Sequence, residues 1–326
     1  MGDIGQDQIN LWSKLGPRAV YGLAVQELAQ QNPSVIALSA DLGSSSGLDR
    51  MRKSHPDRFI NVGIAEQCLI GFSAGLAKEG LVPFASTFAP FATMRAAEQI
   101  RMNLGYMEMN VKVVGIGSGL SMGFLGNSHY GLEDLAIIRT IPGVTILSPA
   151  DCLEVVKCVY HAAETQDPTY IRLTGIPNNP IVYQNDYEFK IGKAVTIREG
   201  KDLAIIATGS MVSTAIRTSK ILFEQGITAK IFNFHTIKPL DEITLAEVGQ
   251  NFKLVVTLEE HSIIGGLGSC VTQFFANSIQ GPRVVVLGLP DAYGPTGNYE
   301  YLLEYHQLSP EKVAAKIATE ALKINK

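Results

Sequence analysis

Along the chain, short apolar runs of strand length alternate with longer stretches in which apolar positions return every three or four residues. The short runs predict strands at Ser34–Ala40, Phe59–Val62, Pro83–Thr87, Val111–Ile116, Thr145–Leu147 and Thr169–Arg172. The longer stretches predict helices at Arg18–Gln31, Ala65–Lys78, Phe91–Leu104, Leu132–Thr140 and Pro149–Glu164. Ser148 reads as an N-cap with Pro149 at the first helical position, and Gly80 as the residue that closes a helix. The prolines and asparagines of Ile176–Lys190 interrupt the rhythm. It resumes with strands at Leu203–Ala207, Ala229–Phe234, Leu254–Leu258 and Val284–Leu287, and with helices at Val212–Gln225, Leu240–Val248, Gly266–Ile279 and Pro310–Lys323. The expected fold class is therefore α/β, with two parallel-sheet domains covered by helices, divided as residues 1–185 and 186–326.

Composition narrows the function classes. With 326 residues, 46% of them hydrophobic and 18% charged, the chain has material for sizeable cores, which excludes wholesale disorder. A net charge of −4 without a basic run argues against nucleic acid as a partner. Cys68, Cys152, Cys158 and Cys270 form no C-x-x-C pair and no Cys/His cluster, so neither a zinc site nor a disulfide framework is expected, and a reducing cytoplasm fits. The opening MGDIGQDQINLWSKLG lacks the basic and apolar regions of a secretory signal, and glycines break the apolar stretches before they reach bilayer length; no membrane association is expected.

In open parallel sheets, ligands gather at the carboxyl ends of the strands, so the chemistry is sought in the loops there. Glu66, in Gly63-Ile-Ala-Glu-Gln67, opens a helix apolar nearly all round. Burial at the edge of a core suits such an acid to holding a proton, although a first-turn glutamate more often only complements the helix dipole. Phe88 and Phe91, in STFAPF, are core residues or an aromatic wall for a flat heterocycle. The glycines of Gly115–Gly123 fail the G-x-G-x-x-G spacing, and no G-K-[ST] occurs, which disfavours a nicotinamide oxidoreductase. They are expected to let the backbone pass close to a ligand or another chain. His129, in a polar loop beside them, is a candidate catalytic group. Glu259–Ser269 reads as a helix cap and domain contact.

Taken together, DLGSSSG (Asp41–Gly47), NVGIAEQ (Asn61–Gln67), STFAPF (Ser86–Phe91), GNSHYGLED (Gly126–Asp134), LSPAD (Leu147–Asp151) and EEHSIIGGLGS (Glu259–Ser269) resemble the transketolase family in order and spacing. The resemblance covers nearly the whole chain. It is to the pyrimidine-binding and C-terminal domains of a transketolase, and above all to the stand-alone C-terminal subunits of split transketolases. It implies a thiamine diphosphate-binding pyrimidine domain followed by a transketolase C-terminal-like domain. The activity implied is transfer of a two-carbon ketol unit from a ketose to an aldehyde. Glu66 matches the glutamate that bonds N1′ of the aminopyrimidine and favours the tautomer that deprotonates the thiazolium. Phe88 and Phe91 match the pocket around the pyrimidine, with Met94 where the family has tyrosine, and Asp41 matches a structural aspartate near the cofactor. His129 matches a histidine that contacts the substrate, and Arg18 and Ser45 match positions that bind the substrate phosphate.

The departures from the family pattern concern the sugar. A family aspartate that reads a substrate hydroxyl falls on Leu125, a histidine at the phosphate falls on Gly117, and an arginine falls on Gly175, with Arg172 close by. The expected substrates are therefore not the usual pentose-phosphate pair but shorter, unphosphorylated or differently charged. No G-D-G motif occurs. The resemblance thus implies that an N-terminal partner subunit holds the diphosphate and Mg²⁺, in an α₂β₂ heterotetramer. Two rivals stay open at this level: the β subunit of a 2-oxo acid dehydrogenase, and a non-catalytic docking subunit.

Overall fold

The computed structural model describes residues 4–276 and 281–324. Its strands are β1 (Val35–Ser39), β2 (Phe59–Asn61), β3 (Val82–Phe88), β4 (Lys112–Ile116), β5 (Thr145–Leu147), β6 (Thr169–Arg172), β7 (Val195–Arg198), β8 (Leu203–Ala207), β9 (Ala229–Asn233), β10 (Thr236–Lys238), β11 (Leu254–Ser262) and β12 (Arg283–Leu289). They form a seven-stranded sheet in the order β10-β5-β6-β4-β3-β1-β2 and a five-stranded sheet in the order β12-β11-β8-β9-β7. Every residue of β1, β3, β4 and β8 is buried, because helices cover both faces of these parallel strands; hence their continuous apolar runs. The fold is α/β with two mostly parallel sheets, as the alternation predicts.

Two strands depart from that prediction. β10 lies antiparallel on β5 and β7 antiparallel on β9, each at the edge of its sheet. Both are too short to show as apolar runs. β10 follows the break in the sequence yet joins the sheet built by the residues before it, so a division between residues 185 and 186 does not separate the sheets cleanly. The hydrophobic core is also shared: Leu69, Ile70, Val113 and Leu135 belong to one cluster with Phe232, Phe234, Val255 and Phe275. Between β6 and β7 the chain forms neither helix nor strand. In that stretch the Tyr183 and Tyr187 hydroxyls both donate to the buried Glu154 carboxylate, which also accepts from Asn233 Nδ2 at 2.9 Å.

Several helices differ from expectation. The helix expected from Pro149 begins at Cys152, because Asp151 rather than Ser148 is its cap and accepts from the Glu154 N–H at 2.9 Å. The continuous helix expected over Phe91–Leu104 is instead a π-helical turn (Phe91–Arg95), a short α-helix (Ala97–Ile100) and a second π-helical stretch (Arg101–Tyr106). Wide turns of this kind are frequent at functional sites. The expected Gly266–Ile279 helix runs Leu267–Phe275, and Ile279 lies outside the described residues. Helices at Gln6–Leu15, Asp49–Ser54 and Tyr299–Tyr305 were not foreseen. Among the described residues no helix is long and apolar enough to cross a membrane.

The helix Glu66–Lys78 corrects a further expectation. Its apolar composition predicted burial all round, but only Glu66, Leu69, Ile70, Ser73 and Ala74 are buried. Gln67, Cys68, Gly71 and Phe72 are exposed, because the sheet covers a single face.

Candidate active site

The loops after β1, β2, β3, β4 and β6 leave the same edge of the seven-stranded sheet, since these strands run parallel. After β2, the Asn61 side chain organises the turn. Its Oδ1 accepts from the N–H groups of Asp41 and Gly63, both at 3.0 Å, and its Nδ2 donates to Asp41 Oδ1 at 3.0 Å. Gly63 takes φ +76°, a conformation that costs glycine nothing, and the chain enters the helix two residues later at Ala65. Glu66 therefore starts its helix held against the sheet, 3% exposed.

The Glu66 carboxylate is met by Arg95. One guanidinium nitrogen, Nη1, donates to Oε1 at 2.9 Å and to Oε2 at 2.8 Å. The charge of a buried acid is thereby compensated by a cation rather than left alone. Arg95 comes from the π-helical turn, as does Phe91, and its guanidinium carbon lies 4.1 Å from the Phe91 ring centroid. Phe88, at the end of β3, meets Phe91 edge-on with centroids 5.9 Å apart. His129 closes the group, with centroids 5.5 Å from Phe88 and 5.2 Å from Phe91. Arg95 thus links Glu66 to Phe91, and Phe91 meets Phe88 and His129, so residues from three separate loops are joined in one chain of contacts.

The His129 loop is seated on the second half of the chain. Asn127 Nδ2 donates to the Gly294 carbonyl at 2.9 Å, and the Tyr130 hydroxyl donates to the Pro295 carbonyl at 2.8 Å. In the neighbouring glycine-rich stretch, Gly119 passes close to the second half of this chain. A Cβ on Gly119 would lie 2.2 Å from Glu260 Oε1, which accepts from the Leu120 N–H at 2.6 Å. Glu260 is fully engaged there, bonded also by the Ser210 and Tyr299 hydroxyls. Glu259 accepts from the Leu267 and Gly268 N–H groups, both at 2.7 Å, as a helix cap.

The remaining candidates divide. Arg18 and Ser45 line a cavity of about 360 Å³ with Gly16, Ser44, Gly175 and Pro177. Arg18 is the one charged side chain among those described lining residues, and burial lowers its pKa from the ordinary value. Asp41, exposed and at φ +58°, serves the Asn61 turn. Met94 is 48% exposed on the same turn as Phe91, and Leu125 is 39% exposed at the start of the His129 loop. Arg172 is a correction: it has no surface to offer a substrate. It is 1% exposed, and its guanidinium donates to Asp134 Oδ2 at 2.8 Å, the Gly131 carbonyl at 3.0 Å and the Glu260 carbonyl at 2.9 Å. Gly175, not Arg172, reaches the cavity.

Sequence reasoning missed Asn61 and Arg95. Arg95 stands four residues after Phe91, a helical spacing that could have paired the two. Its bond to Glu66, on another element, left no local signal.

Comparison with known proteins agrees with this fold. The transketolase pyrimidine-binding domain family matches residues 13–176, and the transketolase C-terminal domain family matches residues 192–313. A protein of Methanocaldococcus jannaschii, provisionally named as a transketolase C-terminal section, is 39% identical over 94% of this chain and 97% of its own length. A 6-deoxy-6-sulfo-D-fructose transketolase subunit of a Clostridium species is 37% identical over 91% of each chain. Among solved structures, a split-gene transketolase, described as an inactive β₄ tetramer, superposes with a TM-score of 0.84 at 39% identity, covering 95% of this chain and 99% of the other. Matched along both of its sheets and by relatives that are themselves separate C-terminal sections or subunits, the chain belongs to the transketolase family as a C-terminal section.

Proposed function

We propose that the chain is the C-terminal subunit of a thiamine diphosphate-dependent transketolase, a transferase that moves a two-carbon ketol unit from a ketose to an aldehyde once joined to an N-terminal subunit. The observation that carries this reading is the convergence of buried Glu66 with Phe88, Phe91 and His129 at one sheet edge. These residues fit an aminopyrimidine: an acid withdrawn from water for a ring nitrogen, and an aromatic face for the ring. When bound, thiamine diphosphate supplies a nucleophilic carbon and an electron sink for breaking the carbon–carbon bond beside a ketose carbonyl. Glu66 shares a proton with the pyrimidine N1′, and Phe88, Phe91 and Met94 wall the ring. Asp41, through Asn61, keeps the turn before Glu66 in register. His129 holds or gives up a proton at a substrate oxygen.

The lack of a G-D-G motif supports a partner that carries the diphosphate and Mg²⁺. So do the exposed apolar side chains on the segments around Glu66: Ile64 in the loop before its helix (78%), Phe72 on the helix (50%) and Met94 on the π-helical turn (48%). An α₂β₂ assembly in the cytoplasm is part of the same proposal. For the substrate, Arg18 and Ser45 offer a single cationic end subsite, while Leu125 and Gly175 stand where the family pattern has polar or cationic groups. This favours a ketose other than the ordinary pentose phosphates, in keeping with the sulfonated sugar for which the Clostridium relative is named. The test is to mix the chain with its N-terminal partner, Mg²⁺ and thiamine diphosphate, and to measure aldehyde release from a panel of phosphorylated, sulfonated and neutral ketoses. Turnover of at least one ketose is expected, with xylulose 5-phosphate a poor donor. Turnover of a 2-oxo acid with lipoamide, or no cofactor uptake, overturns the reading.

A further inference from the structure

Arg95 makes two contacts at once. It gives N–H hydrogen bonds to both oxygens of Glu66, and it lies over Phe91 at 4.1 Å. Phe88 and His129 meet Phe91 at interplanar angles of 80° and 64°, so theirs are edge contacts, and the stacking contact belongs to the guanidinium. A guanidinium is flat, cationic and rich in N–H donors, and it stacks on aromatic rings. A protonated aminopyrimidine is likewise flat and cationic, and it too needs a carboxylate for its N–H and an aromatic face for its ring. The two groups therefore ask for the same acid and the same ring. Their tethers differ. Glu66 is 3% exposed and fixed by its helix, whereas Arg95 is 47% exposed and reaches water by turning its side chain outward.

We propose that Arg95 is a resident stand-in for the aminopyrimidine: it competes with the cofactor ring for Glu66 and Phe91, and it must swing away before the ring can bind. This rests on the thiamine reading above and adds to it a residue that opposes binding. Until displaced, Arg95 keeps a buried acid paired and an aromatic face covered. Removing it leaves Glu66 without a cation, so the entering ring is favoured further.

The experiment is calorimetric titration of thiamine diphosphate, with Mg²⁺, into the two-chain complex carrying wild-type chain, Arg95→Ala or Arg95→Met. Both variants are expected to bind about tenfold more tightly than wild type, the order set by one half-exposed ion pair and one cation–π contact. Arg95→Lys, which keeps the charge but not the flat fork, is expected in between, and it serves if the truncations misfold by circular dichroism. Unchanged or weaker binding in the variants overturns the proposal, as does a crystal structure of the loaded complex with the guanidinium still on Phe91. If the wild-type complex takes up no thiamine diphosphate, the functional reading itself fails and this inference falls with it; normal uptake by wild type without tightening in the variants refutes the inference alone.

Discussion

The Glu66 side chain combines burial, a fixed backbone entry and a cationic partner, and each has a separate cause in the sequence. Burial follows from the helix that packs on the sheet, the entry from the Asn61–Gly63 turn, and the cation from a turn that begins at Phe91. Glu66→Gln keeps shape and volume but, on the proposed function, cannot hold an acidic proton at N1′. The expected result is an unchanged circular dichroism spectrum with turnover of the two-chain complex reduced by about 10²–10⁴-fold, the usual range for a lost acid–base group. His129→Ala is expected to lower kcat by at least tenfold while changing the dissociation constant of the cofactor less than threefold, read by steady-state kinetics beside calorimetry. Most of this centre was legible in the sequence, because Glu66, Phe88, Phe91 and His129 each sit in a short motif with its own punctuation. Arg95 was not, since its partner lies on another element, and Arg172 was misread because a charged residue at a strand end gives no sign of whether it faces solvent or a second sheet.

Among the elements, β11 and the helix that follows it are joined by one carboxyl group. Glu259, within β11, receives the first N–H groups of the helix Leu267–Phe275. Burial pushes its carboxyl up to about 7, against the opposing pull of those two N–H donors and of the Arg172 and Arg139 guanidiniums. With its folded value above the ordinary 4.5, the stability this group contributes is complete below about pH 4.5 and is lost as pH rises through about 7. Glu259→Gln does not titrate, so the melting temperature of wild type relative to the variant is expected to fall between pH 5 and pH 7.5. The corresponding free energy is about 3 kcal/mol. A flat difference across that range in paired thermal melts contradicts the assignment. At this scale the long buried strands were legible as apolar runs. The edge strands β7 and β10 were not, being four and three residues long, and apolar periodicity could not tell a π-helical turn at Phe91 from an α-helical one.

Across the whole molecule, the two sheets are fastened by polar as well as apolar contacts. Arg172 of β6 bonds Asp134 and the Glu260 carbonyl of β11, and Tyr170 donates to the same Asp134 oxygen at 2.7 Å. Arg172→Met leaves Asp134 as an unpaired buried charge, and a loss of about 3–5 kcal/mol is expected by denaturant titration. Arg172→Met with Asp134→Asn should recover part of that loss, which a residue used only for substrate binding would not do. The overall architecture was legible because strand and helix alternate throughout. How the halves join was not, since the joining residues are scattered over the chain. The borrowed strand β10 has a practical consequence for engineering. A chimaera spliced in the stretch before β7, with the C-terminal half taken from another transketolase, would import a foreign Thr236–Lys238 segment onto the native β5 edge, together with whatever replaces Gly294 and Pro295 beneath the His129 loop. Grafts meant to alter the substrate therefore have to carry matched residues at both contacts, or the donor half will arrive folded and the His129 loop will have lost its footing.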